Sequence, residues 1–253
     1  MITLTTDFGY GDPYIGAVKG VIQSINRDAR VEDVAHDLPK QDTHSAAFVL
    51  GGFYRYWPAG TIHLMIIDPG VGSSRLPILV ETENWMFVGP DNGIFSAVYR
   101  NEEFSVRHLT ENKFFLDSAS DTFHGRDIFG PVASYLSLGV MPEEFGPEIK
   151  NPVIIDYPVM NENEGDLTGE IIYIDSYGNL VSNIRRLMSE EFASGNVNGF
   201  EIKTILKSYN SGEDDSPFFI NGSSGFLEIS VKNGSAQKNM DVEIGAKVVI
   251  SKK

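Results

Sequence analysis

Cysteine is missing from all 253 residues of the chain, which excludes disulfides, thiolate metal sites and cysteine nucleophiles. Basic residues are scarce: 20 Lys and Arg stand against 35 Asp and Glu, giving a formal net charge of −15. Such a surface repels polyphosphates and anionic lipids, so nucleic acid and membrane are poor partners and a cationic small molecule is a better one. No apolar run approaches the roughly 20 residues that span a bilayer. No signal peptide is recognised at the start either, so a cytoplasmic location is expected.

Strand and helix patterns alternate through residues 1–150. Thr61–Ile67 is predicted to be a strand, and 78–80 with 86–88 a hairpin pair. A helix is predicted from Asp127 to Leu138, ended by the glycine at position 139. This alternation favours a mostly parallel α/β sheet.

After Pro152 the pattern changes to short strands separated by Gly, Asn and Ser clusters, which is typical of an antiparallel sandwich or small barrel. We therefore predict an α/β protein with an N-terminal α/β domain at 1–160 and a C-terminal β domain at 161–253. The chain has 5 histidines, and all lie in the first domain, so histidine chemistry is expected there.

The segment Ile67–Arg75 carries the first candidate site. A continuous apolar strand, of the kind that is buried on both faces of a parallel sheet, brings Asp68 into a turn with two glycines. Arg75 follows, and ligands of open α/β sheets bind beyond the carboxyl ends of such strands. The alternative is that Asp68, with Ser73 and Ser74, merely closes a Pro-Gly turn.

Two further residues are expected to share this site. His124 stands between an aromatic residue and a glycine just before the helix, and Asp, Arg and His brought together can bind a water and take its proton. Asp7 ends the first strand at the same sheet edge, where its carboxylate can accept hydrogen bonds from vicinal ribose hydroxyls. The alternative for Asp7 is a loop aspartate that caps the following turn.

Three glycine-rich turns of the second domain are candidates for binding a purine: Asp175–Asn179, Asn221–Gly225 and Lys232–Ala236. An amide beside an aromatic ring and open backbone can recognise the edge of a purine and stack on its face. The alternative is that all three are ordinary hairpin turns.

Taken in order, these motifs resemble the S-adenosyl-L-methionine hydroxide adenosyltransferase family, whose relatives include the fluorinase and chlorinase enzymes. The resemblance runs over nearly the whole chain and rests on Thr6–Gly9, Asp68–Gly72 with Arg75, Gly89–Gly93, Phe123–Asp127, Asp175–Asn179 and Asn233–Ala236.

This resemblance implies a Rossmann-like N-terminal α/β domain and a C-terminal β-barrel. It implies a homotrimer, in which the substrate lies between the N-terminal domain of one subunit and the C-terminal domain of the next. The implied reaction is attack of water or hydroxide on the ribose C5′ of S-adenosyl-L-methionine, which releases adenosine and L-methionine without a metal or a cofactor.

In such enzymes an Asp-Arg-His set handles the water, which maps onto Asp68, Arg75 and His124. A sulfonium leaves as a neutral thioether, so the difficulty lies with the nucleophile, and a fixed cation with a nearby base lowers that barrier. We expect His124 to be the base, with Asp68 orienting water or imidazole and Arg75 supplying charge. The roles of Asp68 and His124 stay exchangeable.

The same resemblance assigns the binding residues. Asp7 binds the ribose hydroxyls, Phe123 and Gly125 border C5′, and Asp175 binds the methionine ammonium. The remaining assignments are Tyr177, Asn179 and the backbone near Ala236 for the adenine, Ser223 for the methionine end and Tyr209 for stacking on the purine.

Two departures from the relatives bear on the pocket. Gln41 stands where some relatives place a tryptophan near the ribose. Val71 and Gly125 lack the hydroxyl groups that halogenases place around a halide, and Asp68 would repel that anion, so water is the expected nucleophile.

Two other functions are compatible with parts of the pattern. A metal-dependent hydrolase would use Asp7, Asp68, Asp91 and His124, since carboxylates at strand ends also bind Mg²⁺. A binding module would hold S-adenosyl-L-methionine or adenosine without turnover.

Overall fold

A computed structural model describes residues 1–117, 119–156, 159–163, 165–185, 187 and 192–253. The chain divides into two compact units, Met1–Ile155 and Asp156–Lys253. The first is an α/β unit and the second is an antiparallel, barrel-like β unit, so the predicted fold class is confirmed. No helix in the described ranges is long and apolar enough to cross a membrane.

The first unit contains a sheet with helices on its faces. Its strands are β1 (Ile2–Thr6), β2 (Val31–Ala35), β3 (Thr61–Ile66), β4 (Pro77–Thr82), β5 (Trp85–Pro90), β6 (Phe104–His108) and β7 (Glu148–Ile149). Its α-helices are α1 (Tyr14–Ile25), α2 (Thr43–Phe53), α3 (Ser96–Tyr99) and α4 (Gly130–Ser137). A π-helical turn, Gly125–Phe129, leads into α4, and short 3₁₀ turns occur at Tyr54–Tyr56, Asn112–Phe114 and Pro142–Phe145.

The strand order of this sheet is β2-β1-β3-β5-β4-β6-β7. Neighbouring strands are parallel from β2 to β5 and antiparallel from β5 to β7. The prediction of a mostly parallel sheet is therefore right for one half and wrong for the other. The reason is that β4 and β5 form the predicted hairpin, and a hairpin reverses the chain direction within the sheet.

The position of β3 in the sheet explains why its residues Leu64 to Ile66, and Ile67 after them, are all apolar. Leu64 and Ile66 belong to the core cluster that contains α1 and α4, whereas Met65 and Ile67 belong to the cluster that contains α2. Successive side chains of a strand point to opposite faces, so a strand covered on both sides needs apolar residues at every position.

The second unit consists mainly of strands. They are β8 (Asn161–Asn163), β9 (Asp166–Ile174), β10 (Leu180–Arg185), β11 (Phe192–Val197), β12 (Phe200–Ile202), β13 (Ile205–Leu206), β14 (Pro217–Asn221), β15 (Phe226–Val231) and β16 (Lys247–Lys252). A short helix, α5 (Ala236–Met240), and a 3₁₀ turn at Tyr209–Ser211 complete it.

The order of these strands is β12-β11-β16-β9-β10-β15-β14-β13, with β8 beside β9. Strand β9 pairs with β16 through its first half and with β10 through its second, so it turns the sheet around a corner. The two sides then face each other closely: a Cβ added to Gly195 on β11 would lie 2.3 Å from the ring of Phe219 on β14. This curvature produces the barrel-like shape.

Candidate active site

The carboxyl ends of β1 and β3 place two predicted residues at one edge of the sheet. Thr6 pairs with Ile66 in the parallel register, and Asp7 and Asp68 follow these strands. Both carboxylates line a cleft of about 180 Å³, together with Gln41, Val71, Phe123, His124 and Gly125. The predicted convergence at this edge is therefore present within the first unit.

In the loop after β3, the residue that closes the turn is not the one that carries the site carboxylate. The Ser73 hydroxyl donates to the Gly70 carbonyl at 2.6 Å, so this serine does close the Pro-Gly turn. The Asp68 carboxylate does not take part in that closure and instead accepts from Arg75. Gly72 has a φ of 73°, and a Cβ there would lie 2.3 Å from the Asp121 carbonyl, so only glycine fits at this contact.

The π-helical turn carries His124 to the same place. Gly125 packs directly on β3, because a Cβ at this position would lie 2.8 Å from Ile66 Cγ2. Phe123 contacts Phe8 and Tyr14 with ring centroids 5.8 Å and 5.4 Å away, so an aromatic cluster fixes the entry to the turn. Such π-helical turns occur often at functional sites.

Arg75 links the other two members of the predicted set. Its Nε donates to Asp68 Oδ1 at 2.8 Å, and its Nη2 donates to Asp68 Oδ2, which makes the pair bidentate. The same Nη2 lies 2.6 Å from His124 Nδ1. Arg75 is thus in direct contact with Asp68, in the same loop, and with His124, which is distant in sequence.

This cluster is shielded from solvent. The Asp68 and Arg75 side chains are 7% and 8% exposed, and the guanidinium lies 5.2 Å from the ring centroid of Phe129. Arg75 Nη1 is buried and has no hydrogen-bond partner among the described residues. A buried cationic N–H group without a partner is costly, and a bound water or ligand atom would satisfy it.

The contact with Arg75 fixes the tautomer of His124. A guanidinium only donates, so Nδ1 must accept, and the neutral ring then carries its proton on Nε2. Burial, followed by the Arg75 charge, lowers the pKa of His124 below its ordinary value, against the opposing effect of carboxylates such as Asp68. His124 therefore stays neutral near pH 7.

Asp7 is held by the loop that follows β2. The backbone N–H of Gln41 donates to Asp7 Oδ2 at 2.7 Å, and Gln41 has a φ of 64°. Because a non-glycine residue is uncommon in this left-handed region, the conformation marks a constrained position. Gln41 itself lines the cleft.

Asp127 supports the site, although the sequence assigned it no role. Its fully buried carboxylate accepts from the backbone N–H and the hydroxyl of Ser120, both at 2.8 Å, and from Arg126 Nε at 2.6 Å. Asp127 thereby tethers the loop that carries Thr122, which lines the cleft. The signal that could have revealed this role is the position of Asp127, a carboxylate at the start of a helix that was predicted to be buried.

In the second unit, Asp175 organises its own turn. One carboxylate oxygen accepts from the backbone N–H groups of Tyr177 and Asn179, both at 2.9 Å, and the other accepts from the Asn179 amide at 2.8 Å. This turn is a hairpin between β9 and β10, as the structural alternative predicted, and Tyr177 on it is 78% exposed. The Gly178 carbonyl accepts from the N–H of Gln237, which joins the turn to the segment of Ala236.

Tyr209 and Ser223 lie in a second cavity, of about 410 Å³, within the second unit. The Tyr209 hydroxyl donates to Glu228 Oε2 at 2.9 Å. Burial, with the nearby Glu228 and Asp175 carboxylates, raises the pKa of Tyr209 to about 12. The sequence missed Glu228 because a single acid inside an apolar strand carries no spacing signal.

Asp91, which the metal-dependent alternative requires, is held separately. Asp91 is only 7% exposed, and its carboxylate accepts from the backbone N–H of Val153 at 2.8 Å. Burial raises its pKa. Across the described ranges, no group of three or more His, Asp or Glu side chains is arranged to hold a metal ion.

Both units of the chain match domains of the same protein family. Residues 2–146 match the SAM hydroxide adenosyltransferase N-terminal domain, and residues 169–249 match the SAM hydroxide adenosyltransferase C-terminal domain. The chain belongs to this family, which confirms the resemblance that the motifs carry.

Individual relatives agree with this membership. The (R)-S-adenosyl-L-methionine hydrolase of Thermus thermophilus is 33% identical, with 96% of each chain covered. The (R)-S-adenosyl-L-methionine hydrolase of Methanocaldococcus jannaschii is 32% identical, covering 96% of this chain and 92% of its own. The crystal structure of an uncharacterized conserved protein from Thermotoga maritima superposes with a TM-score of 0.92 at 29% identity, covering 99% of this chain and 100% of its own.

Proposed function

We propose that this protein hydrolyses S-adenosyl-L-methionine to adenosine and L-methionine by attack of water at the ribose C5′. The observation that carries the proposal is the buried cluster in which Arg75 binds the Asp68 carboxylate with two donors and His124 Nδ1 with one. Membership of the family and the hydrolase names of the relatives support the same reaction.

In the proposed reaction, a lone pair of the water oxygen forms the C5′–O bond while the C5′–S bond breaks. The bonding pair leaves with sulfur, so the positive sulfonium becomes the neutral thioether of methionine and needs no acid. The water proton must be taken up as the new bond forms. A carboxylate oxygen of Asp68 has lone-pair capacity beyond its bond to Arg75 and faces the cleft, so we assign the proton to Asp68.

This assignment exchanges the roles expected from the sequence. His124 Nδ1 already accepts from Arg75, and Nε2 carries the proton, so the neutral ring has no free lone pair for a water proton. We propose instead that the Nε2–H group of His124 donates to the water oxygen and orients it. Asp68 is then the base, and Arg75 fixes both partners.

The binding assignments remain part of this proposal. Asp7 has one carboxylate oxygen that accepts from Gln41, which leaves the other for the ribose hydroxyls. Phe123 and Gly125 border the reacting carbon. From the second unit, the proposal takes Asp175 for the ammonium, with Tyr177, Asn179, Ala236, Ser223 and Tyr209 for the nucleoside and the methionine end.

We further propose that the protein works in the cytoplasm as a homotrimer. In this assembly the C-terminal domain of a neighbouring subunit completes the substrate-binding site. Family resemblance supports this assembly. Light scattering coupled to size-exclusion chromatography gives the molar mass directly: about three times the 27.9 kDa of one chain is expected, and a monomeric mass would contradict the trimer.

The direct test is incubation of the purified protein with S-adenosyl-L-methionine, followed by chromatography for adenosine and L-methionine in equal amounts. Treatment with a chelator should leave the rate unchanged, whereas loss of activity would favour the metal-dependent hydrolase. Saturable heat of binding without any adenosine would favour the binding module.

A further inference from the structure

Two loops meet behind Asp7. One follows Thr6, the last residue of β1, and carries Asp7 and Gly9, and the other connects β2 to α2. The His36 carbonyl accepts from the Gly9 N–H at 2.7 Å, and the His36 ring nitrogen Nδ1 lies 2.8 Å from the Thr6 hydroxyl. Together with the hydrogen bond from Gln41 to Asp7, the second loop therefore contacts the chain before, at and after Asp7.

The hydroxyl of Thr6 has a defined direction. It is fully buried and accepts from the backbone N–H of Phe8 at 3.2 Å, so its own proton is free to be donated to His36 Nδ1. In this pattern the Thr6 hydroxyl both accepts and donates, provided that His36 Nδ1 is the acceptor. The direction of Thr6 therefore depends on the imidazole.

The Asp33 carboxylate lies on the other side of that imidazole. His36 is 1% exposed, and its Nε2 lies 2.9 Å from Asp33 Oδ1, although the direction of the ring N–H does not meet the angle of a hydrogen bond. Lys19 Nζ donates to the other carboxylate oxygen of Asp33 at 2.7 Å. A chain of Lys19, Asp33, His36 and Thr6 thus runs from the surface to the base of the Asp7 loop.

We propose that His36 is a positioning residue that aims the Asp7 carboxylate at the ribose hydroxyls of the substrate. This inference rests on the proposed function, because it takes Asp7 to be the ribose-binding group. The reaction machinery at Arg75 lies at the neighbouring strand end, so the effect should fall on nucleoside affinity rather than on the chemical step.

The test uses the full-length protein and adenosine as the probe, with affinity measured by isothermal titration calorimetry. His36→Gln keeps a polar group near Nε2 but offers nothing to Thr6, whereas His36→Asn places an amide oxygen where Nδ1 lies. Losing one buried hydrogen bond weakens binding by about tenfold. We expect a rise of about tenfold in Kd for His36→Gln and for the isosteric Thr6→Val, and near-normal binding for His36→Asn. KM should rise in the same variants while kcat changes less than about threefold.

A double-mutant cycle separates this role from general stability. In an Asp7→Asn background, His36→Gln should weaken adenosine binding no further. Normal binding by His36→Gln and Thr6→Val, even with lowered melting temperatures, would overturn the inference alone. If Asp7→Asn itself binds adenosine normally, then the ribose assignment of the proposed function fails, and this inference fails with it. His108→Gln, on the distant strand β6, is the matched control and should bind as the unaltered protein does.

Discussion

Replacing Asp68 by asparagine tests the proposed base and the buried ion pair in one protein. Asparagine keeps the shape and one acceptor for Arg75 but cannot take a proton. A positioned base contributes about 10²–10⁴-fold to a rate, so we expect kcat for adenosine release to fall by that amount.

The same change should lower stability, because it leaves the Arg75 cation buried against a neutral partner. Both side chains are less than a tenth exposed, and removing one partner of a buried pair costs roughly 3–5 kcal/mol. Since asparagine still accepts one hydrogen bond, we expect a loss somewhat below that range, about 2–3 kcal/mol. Urea unfolding monitored by circular dichroism measures this loss.

The double variant Asp68→Asn with Arg75→Met distinguishes the two effects. Removing the stranded cation should restore at least about 1 kcal/mol of unfolding free energy, while adenosine release stays abolished. Asp68→Asn retaining more than about a tenth of kcat would refute the base assignment. A double variant no more stable than the single one would refute the energetic coupling of the pair.

Three further predictions follow from the geometry of the histidines. The rate should be constant above about pH 6.5 and fall as His124 is protonated at lower pH. The reason is that the pKa of His124 in the folded protein lies below its ordinary value and that only the neutral ring accepts from Arg75. A rate that rises toward acid pH would contradict this. His124→Gln, whose amide can still donate toward the water, should keep at least about tenfold more activity than His124→Leu, whereas equal losses would return the base role to His124. Burial lowers the pKa of His63 to about 3; the unfolded state then binds more protons below pH 6.5, so stability is lost as pH falls, by about 2 kcal/mol for this residue between pH 7 and pH 5. In urea titrations His63→Leu should lose less stability than the unaltered chain over this range by that amount, and parallel losses would show that His63 does not titrate so low.

The sequence predicted the sheet edge well because its signals are local and repeated. The apolar run of β3 fixes a strand buried on both faces, and Asp7 and Asp68 directly follow paired strand ends. The glycines that allow close packing, Gly72 and Gly125, were visible in the motifs. The contact of Arg75 with both Asp68 and His124 was anticipated through the resemblance of the motifs to a family, since spacing alone does not bring residue 75 to residue 124.

Other features depend on tertiary contacts that no local pattern records. The β4–β5 hairpin was predicted, but the antiparallel pairing of β6 with β4 and of β7 with β6 depends on strand order. The tautomer of His124 depends on which atom of Arg75 it faces, so the sequence left its role open to exchange. His36 and Asp127 gained their roles from loops that approach them from elsewhere in the chain.

The central claim is that water attacks C5′ and that its oxygen stays in the nucleoside. Carrying out the reaction with S-adenosyl-L-methionine in H₂¹⁸O, followed by mass spectrometry of the adenosine, tests this directly. The account predicts one ¹⁸O atom at the 5′ hydroxyl and none in the methionine. Adenosine without the label, or a different nucleoside product, would contradict it.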